Sequence, residues 1–381
     1  MKIIPYGKQN INFQDILEVN KALKGSLITT GNKVEEFESK LVKYLKCGYA
    51  TTCNSGTSAL YLAFLSLHIK KSDIVLMPSV NFVASYNVAS SIGAKIYLVD
   101  VDKCTGQITP ENVLKTCAKY KIKQFKALIT MFNGGAPLNC ENYIRIKKKY
   151  NCYLIEDACH ALGAYYKINK KKYMIGSCNH ADISTFSLHP LKSITTGEGG
   201  VVTTNVKKID NEIKNFRSLG IERNQKKHWI YDVINKGFNF RLTDFQCSLG
   251  MSQLKRINKF LEKRKNIAKR YDLNLKNIKG INIQLKENKY VSSNHLYLIN
   301  IVNRNLGFKN KFINYMLKKR ISLQYHYIPI YKFKIFKNKF SLQGSEDYYK
   351  STVSLPIYYD LSISDQYKVI NHIKKFFKKY Y

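Results

Sequence analysis

The chain has 381 residues, 45% of them hydrophobic and 13% aromatic, which excludes a disordered tail protein or a low-complexity fibre and suits one large and one small domain or a single large α/β domain. Lys and Arg number 63 against 26 Asp and Glu, for a net charge of +37. The basic residues lie in short runs along the whole chain, such as Lys147-Lys148-Lys149 and Lys170-Lys171-Lys172, with no helix-turn-helix, zinc-finger or aromatic RNA-binding signature, so solvated lysines are favoured over a specific nucleic-acid site.

The N-terminal MKIIPYGKQNINFQD turns polar too soon for a signal peptide, and no run approaches the ~18 apolar residues of a membrane span. A soluble protein is expected, with no membrane partner. Nine cysteines, an odd number, carry no C-x-x-C pair and no His partner at zinc spacing; a reducing cytoplasm is expected, and no metal site.

From Tyr49 to about Asn205 short apolar runs alternate with helical stretches, the pattern of a sheet wrapped by helices. Strands are predicted at 49–55, 73–79, 94–102, 125–133, 153–158, 182–188 and 199–205. Stretches 57–69, 82–91, 110–121 and 139–150 serve as the crossover helices that parallel strands need. The segment FQCSLGMSQLKRINKFLEKRKNIAKRYDLNL (245–275) reads as one long amphipathic helix linking two domains. Beyond it, strands at HLYLINIV (295–302) and SLQYHYIP (322–329) and a closing helix over 365–381 describe a smaller α+β unit.

Chemistry-bearing residues recur at the predicted strand ends. CNSGTSALYLAF runs a strand into Asn-Ser-Gly-Thr-Ser and an apolar helix, gathering free amides and hydroxyls at a helix N-terminus that suits a phosphate; an ordinary N-cap has the same composition. Phe82, past the next strand, offers a face to a planar ring or fills a core. Asp157 closes YLIED at the carboxyl edge of the sheet, where α/β proteins bind ligands; it could hold a pyridinium nitrogen protonated, ligate magnesium or cap a helix. His160 lies three residues on, as partner or as structural histidine. In FSLHPLKSITTGEGG (186–200) a strand delivers Ser187 and then Lys192 into a glycine-rich turn, where a lysine can bond covalently to an aldehyde cofactor and later shuttle protons.

These groups occur in this order across a single sheet, and the motifs that carry them are long: IPYGKQNI, LITTGNKVEEFE, NSGTSAL, EDACHALGA, FSLHPLKSITTGEGG and GFNFRLTDFQCSLGMSQL. Over essentially its full length the chain resembles the DegT/DnrJ/EryC1/StrS sugar aminotransferases. The resemblance implies the pyridoxal 5'-phosphate (PLP)-dependent transferase fold of type I: a seven-stranded, mostly parallel sheet in a large domain (1–255, with an N-terminal arm) and a small α+β domain (256–381). It implies that Lys192 holds the cofactor covalently and carries the migrating proton, that Asp157 pairs with the ring nitrogen and that His160 lies near the ring hydroxyl. Phe82 would stack on the ring, with Thr57, Ser58 and Ser187 on the phosphate. Asn239 would reach the phosphate from the neighbouring subunit, so that the site needs a homodimer. Tyr6, Thr30 and His326 would contact substrate.

HPLKSITTGEGG and HYIPIY (326–331) look like a subgroup that moves the amino group of glutamate to C4 of a UDP-linked 4-keto-6-deoxy-N-acetylhexosamine, in pseudaminic acid-type biosynthesis. Two departures from the family pattern stand out: Leu191 for the usual Val beside the lysine, and Asn81 for the usual Thr before the aromatic, the latter expected to act on a turn. Lys192 argues against the family's dehydratases, which carry His there. The rival readings are a family aminotransferase acting at another sugar carbon or nucleotide, a non-catalytic PLP-binding scaffold, and a basic nucleic-acid binder.

Overall fold

A computed structural model describes residues 3–224, 226–227, 229–284, 287–302, 305–336 and 340–381. All seven predicted strands form, and they join one sheet in the order Tyr49–Cys53, Gly200–Thr204, Ile183–Ser187, Tyr153–Asp157, Ala127–Met131, Ile74–Pro78, Lys95–Val99. Only Gly200–Thr204 runs against its neighbours; the others are parallel where they touch. The strands are near-continuous apolar runs because helices cover both faces. Ala127–Met131, in the middle, is buried at every position. The common direction brings Cys53, Pro78, Met131, Asp157 and Ser187 to one carboxyl edge, with Gly200 entering from the same side.

The crossovers fall close to their predicted places, at Gly56–Ser66, Ala84–Ile92, Pro110–Lys119 and Tyr143–Tyr150. Ser55 and Thr109 cap two of them through their side chains. The last starts four residues later than predicted, because Asn139 sits at φ 58° in the turn before it.

Two expectations are corrected. The helix predicted over 245–275 is two helices, Asp244–Lys255 and Ile257–Leu275. Arg256 breaks it at φ −104°, ψ 1° because its guanidinium turns back to the N-terminal arm, donating to Asn10 Oδ1 at 2.9 Å and pairing with the fully buried Asp15. SLQYHYIP is not a strand: it has one isolated bridge, at Gln324, and otherwise bends, with residues 324–328 lining a cavity at the sheet's carboxyl edge. The small sheet is instead Ile281–Ile283, Tyr297–Ile301 and Thr352–Leu355. Unforeseen, too, was the hairpin Tyr165–Ile168/Lys171–Met174, whose two-residue turn puts Asn169 and Lys170 at positive φ.

The helix Ile257–Leu275 straddles two cores. Ile257 and Phe260 pack with Phe37, Leu41 and Phe186, whereas Ile267, Tyr271 and Leu275 pack with Ile299, Phe312 and Phe377 of the C-terminal unit. We propose the domain division at 255/256, where Arg256 interrupts the helices.

Candidate active site

The carboxyl edge of the sheet opens into a cavity of about 620 Å³, closed from the other side by residues of the small unit. Thr57, Phe82, Asp157, His160, Ser187 and Lys192 line it, as do Tyr6 and His326. Eight of the eleven residues singled out from the sequence therefore meet in one place.

The helix Gly56–Ser66 aims its N-terminus at the strand end Ser187. Gly56 is needed there, since a Cβ on it would lie 2.8 Å from Ser187 Cβ. Ser55 Oγ accepts the Ser58 amide at 3.0 Å, so the helix's remaining first-turn amides face the cavity as a cradle for an anion. Ser58 itself serves the cap: its hydroxyl donates to Asn54 Oδ1 at 2.6 Å, and it is not among the lining residues. The glycines after Lys192 serve packing as well as the turn. A Cβ on Gly200 would meet the Ser55 carbonyl oxygen at 2.1 Å, so only glycine lets this strand pass the cradle loop.

Asp157 is 3% exposed and every polar group that addresses it donates. Oδ2 accepts from Asn81 Nδ2 at 3.1 Å and Ser85 Oγ at 3.3 Å, and Oδ1 from the Cys159 amide at 3.3 Å. Asn81 Oδ1 in turn accepts the Phe82 amide at 2.7 Å. Phe82 is 57% exposed, its ring free to face a planar group in the cavity rather than filling the core.

His160 has its tautomer set by the backbone. Nδ1 accepts the Gly134 amide at 3.3 Å, so the proton sits on Nε2 and is donated to the Tyr327 hydroxyl at 2.9 Å. Burial, then Lys192 and His326, hold its pKa well below the usual histidine range; it is a neutral donor. Lys192 lies in the turn that follows strand Ile183–Ser187, its amide donating to the His189 carbonyl at 2.9 Å. Burial lowers the pKa of its ammonium against the opposing pull of Cys159 and Asp157, which makes a free amine more accessible near neutrality. His326 Nδ1 bonds Ser354 Oγ at 2.7 Å, and burial pushes its pKa down to about 3.

Three of the eleven lie elsewhere. Besides Ser58, Thr30 lines a separate groove with Arg217 and Arg241. Asn239 is exposed, touching the cradle of its own chain only through its carbonyl, 3.5 Å from Asn54 Nδ2. Sequence reasoning missed Tyr327 and His295. The first stands in the quoted HYIPIY segment, a usable signal; the second carries none, and only the fold sets its ring 4.3 Å from that of His160. Among the described residues no cluster of His, Cys, Asp or Glu could hold a metal.

The donors and charges suit PLP: an anion cradle, a flat aromatic, a donor-held carboxylate, a neutral imidazole donor and a buried amine surround one space. The DegT/DnrJ/EryC1/StrS aminotransferase family model matches residues 9–374. A Campylobacter jejuni UDP-4-amino-4,6-dideoxy-N-acetyl-beta-L-altrosamine transaminase is 38% identical over 367 residues, 95% of this chain and 94% of that one. Among solved structures, PseC of Helicobacter pylori, an aminotransferase involved in the biosynthesis of pseudoaminic acid, superposes with a TM-score of 0.90 at 28% identity over 99% of this chain and all of that one. Spr1654 of Streptococcus pneumoniae in its PLP form does so at 0.90 and 26% identity, over 99% of each chain.

Proposed function

The chain belongs to the DegT/DnrJ/EryC1/StrS aminotransferase family, PLP-dependent enzymes that aminate nucleotide sugars, and on that premise we propose that it moves the amino group of glutamate to C4 of a UDP-linked 4-keto-6-deoxy-N-acetylhexosamine, in pseudaminic acid-type biosynthesis. The observation that carries this reading is the convergence of Lys192, Asp157 and His160 in one cavity of a chain 38% identical to a transaminase of that name.

Bound PLP supplies an electron sink and a covalent carrier for nitrogen. Gly56 and Thr57 amides with the Thr57 and Ser187 hydroxyls would hold its phosphate, and Phe82 would cover one face of its ring. Asp157 would accept a hydrogen bond from the protonated ring nitrogen, and His160, whose Nε2–H is donated to the Tyr327 hydroxyl, would lie near the ring hydroxyl. Lys192 would hold the aldehyde carbon and afterwards, as a free amine, carry the proton between the two carbons whose oxidation states exchange. Tyr6 and His326, whose rings lie 5.5 Å apart in the cavity lining, would contact the sugar nucleotide.

The proposal includes a homodimer with shared sites. Supporting it, Phe13, Leu27, Trp229, Ile230, Tyr231 and Val233 are exposed at 47–77%, apolar side chains that a second copy would cover, and both Thr30 and Asn239 are exposed outside the cavity of their own chain. The cytoplasm is proposed as its location. All nine cysteines are free, most of them buried, and no described helix is long and apolar enough to cross a membrane.

The test is product identification. Incubation with glutamate and a panel of keto-sugar nucleotides should convert the UDP-linked 4-keto sugar to a 4-amino sugar, seen by mass spectrometry and NMR. Amination only at another carbon, or only of another nucleotide, would overturn the reading in favour of a different family activity.

A further inference from the structure

Asn81 joins two groups that would contact the cofactor ring. It is 1% exposed and its amide is satisfied at both ends: Oδ1 takes the Phe82 amide at 2.7 Å, while Nδ2 donates to Ser85 Oγ at 2.9 Å and Asp157 Oδ2 at 3.1 Å. The Phe82 amide can only donate, so it fixes which end of Asn81 is oxygen and leaves Nδ2 directed at the acid. Ser85, fully buried, accepts from Nδ2 and passes its own proton to the same Asp157 oxygen at 3.3 Å. Oδ2 thus has two donors and is saturated. Oδ1 accepts the Cys159 amide at 3.3 Å, with the Cys159 thiol beside the carboxylate, and the acid lines the cavity.

We propose that Asn81, with Ser85, is a positioning residue for Asp157: it occupies Oδ2, turns Oδ1 towards the ring nitrogen of bound PLP, and through the Phe82 amide ties the acid to the residue that covers the ring face. The proposal rests on the PLP reading above. Its chemistry is that of orientation. A carboxylate held by fixed donors cannot rotate away from the ring nitrogen, and the ring stays protonated through the proton transfer.

The decisive variant is Asn81→Asp, which keeps an acceptor for the Phe82 amide but replaces the Nδ2 donor by a second carboxylate oxygen facing Asp157. Asn81→Ala removes both contacts, and Ser85→Ala removes one donor. Each full-length protein is reconstituted with PLP, and we expect Asn81→Asp to lower kcat by roughly tenfold to a hundredfold, the range for a lost hydrogen bond to a charged group, with KM for the sugar nucleotide within about twofold. The pH midpoint of the bound cofactor's absorbance should move by about one unit, because the second charge perturbs the same proton equilibrium. Asn81→Ala should also weaken PLP binding by about tenfold. Ser85→Ala should give a smaller change of the same kind. Thermal unfolding of the apoproteins identifies any variant that fails to fold, and Asn81→Gln, longer by one methylene but with the same groups, should recover part of the spectral change. Wild-type kcat and absorbance titration in a folded Asn81→Asp would overturn the proposal. If Asp157→Asn measured alongside is also indistinguishable from wild type, it is the PLP assignment that fails instead.

Discussion

At the scale of single residues, Asp157 is buried among donors. Asp157→Asn preserves shape and can still meet the ring nitrogen, but an amide cannot keep that nitrogen protonated; the variant should bind cofactor normally while losing at least about a hundredfold in kcat, the scale of an essential proton-holding group. Activity within a few-fold of wild type would remove Asp157 from the role. His326 should contribute to acid sensitivity. Its pKa is about 3 when folded and near the ordinary 6.5 when unfolded, so between those values the unfolded chain binds the extra proton and stability falls as pH falls. The slope for one such group is at most ~1.4 kcal/mol per pH unit. Urea midpoints at pH 6 and pH 4.5 should differ less in His326→Gln than in wild type; an unchanged difference would show that His326 does not carry the effect.

At the scale of elements, the junction at Arg256 decides where helix Asp244–Lys255 ends. Asp15, fully buried, accepts from Ser252 Oγ at 2.7 Å, Gln253 Nε2 at 2.7 Å and the Arg256 guanidinium. One carboxylate therefore pins helix Phe13–Leu23 across the end of helix Asp244–Lys255 and forces the chain to turn. Removing one partner of a buried pair leaves the other uncompensated, at about 3 kcal/mol or more. Asp15→Ala should lower the apoprotein's thermal midpoint by several degrees, whereas an exposed pair such as Lys21 with Glu18 should contribute under about 1 kcal/mol. A midpoint within a degree of wild type would contradict this account of the break.

At the scale of the whole molecule, the proposed dimer gives Asn239 its function. Lys192→Ala and Asn239→Ala subunits should each be poor enzymes. If each site borrows Asn239 from the other chain, a hybrid dimer holds one site with both residues intact and one lacking both. Mixing under conditions of subunit exchange should then restore activity towards half of wild type per hybrid. No recovery despite demonstrated exchange would place Asn239 in its own chain's site or outside catalysis.

How far the sequence reaches differs from one part of the molecule to another. Strands such as YLIED and ALITM were legible because a parallel strand buried on both faces must be apolar throughout, and a turn with Gly and Pro must separate it from the next helix. Since all parallel strands end on one side, naming the strand ends Asp157 and Ser187 already named neighbours in space, and Lys192 with them. The break at Arg256 was not legible, because a helix former such as Arg leaves a helix only when a partner distant in sequence, here Asp15, rewards it. Nor was the bend of SLQYHYIP, where apolar alternation matches a strand but Asn133 and Tyr348 bind the His326 carbonyl at 3.3 and 2.7 Å and hold the segment in the cavity wall. The sequence by itself determined the order of elements and the chemistry at the sheet's edge, because both follow from local periodicity and residue type. Only the tertiary structure decided which nitrogen of His160 carries its proton, what Asn81 does and where Thr30 and Asn239 lie, because those depend on hydrogen bonds and distances between segments that the chain brings together only when it folds.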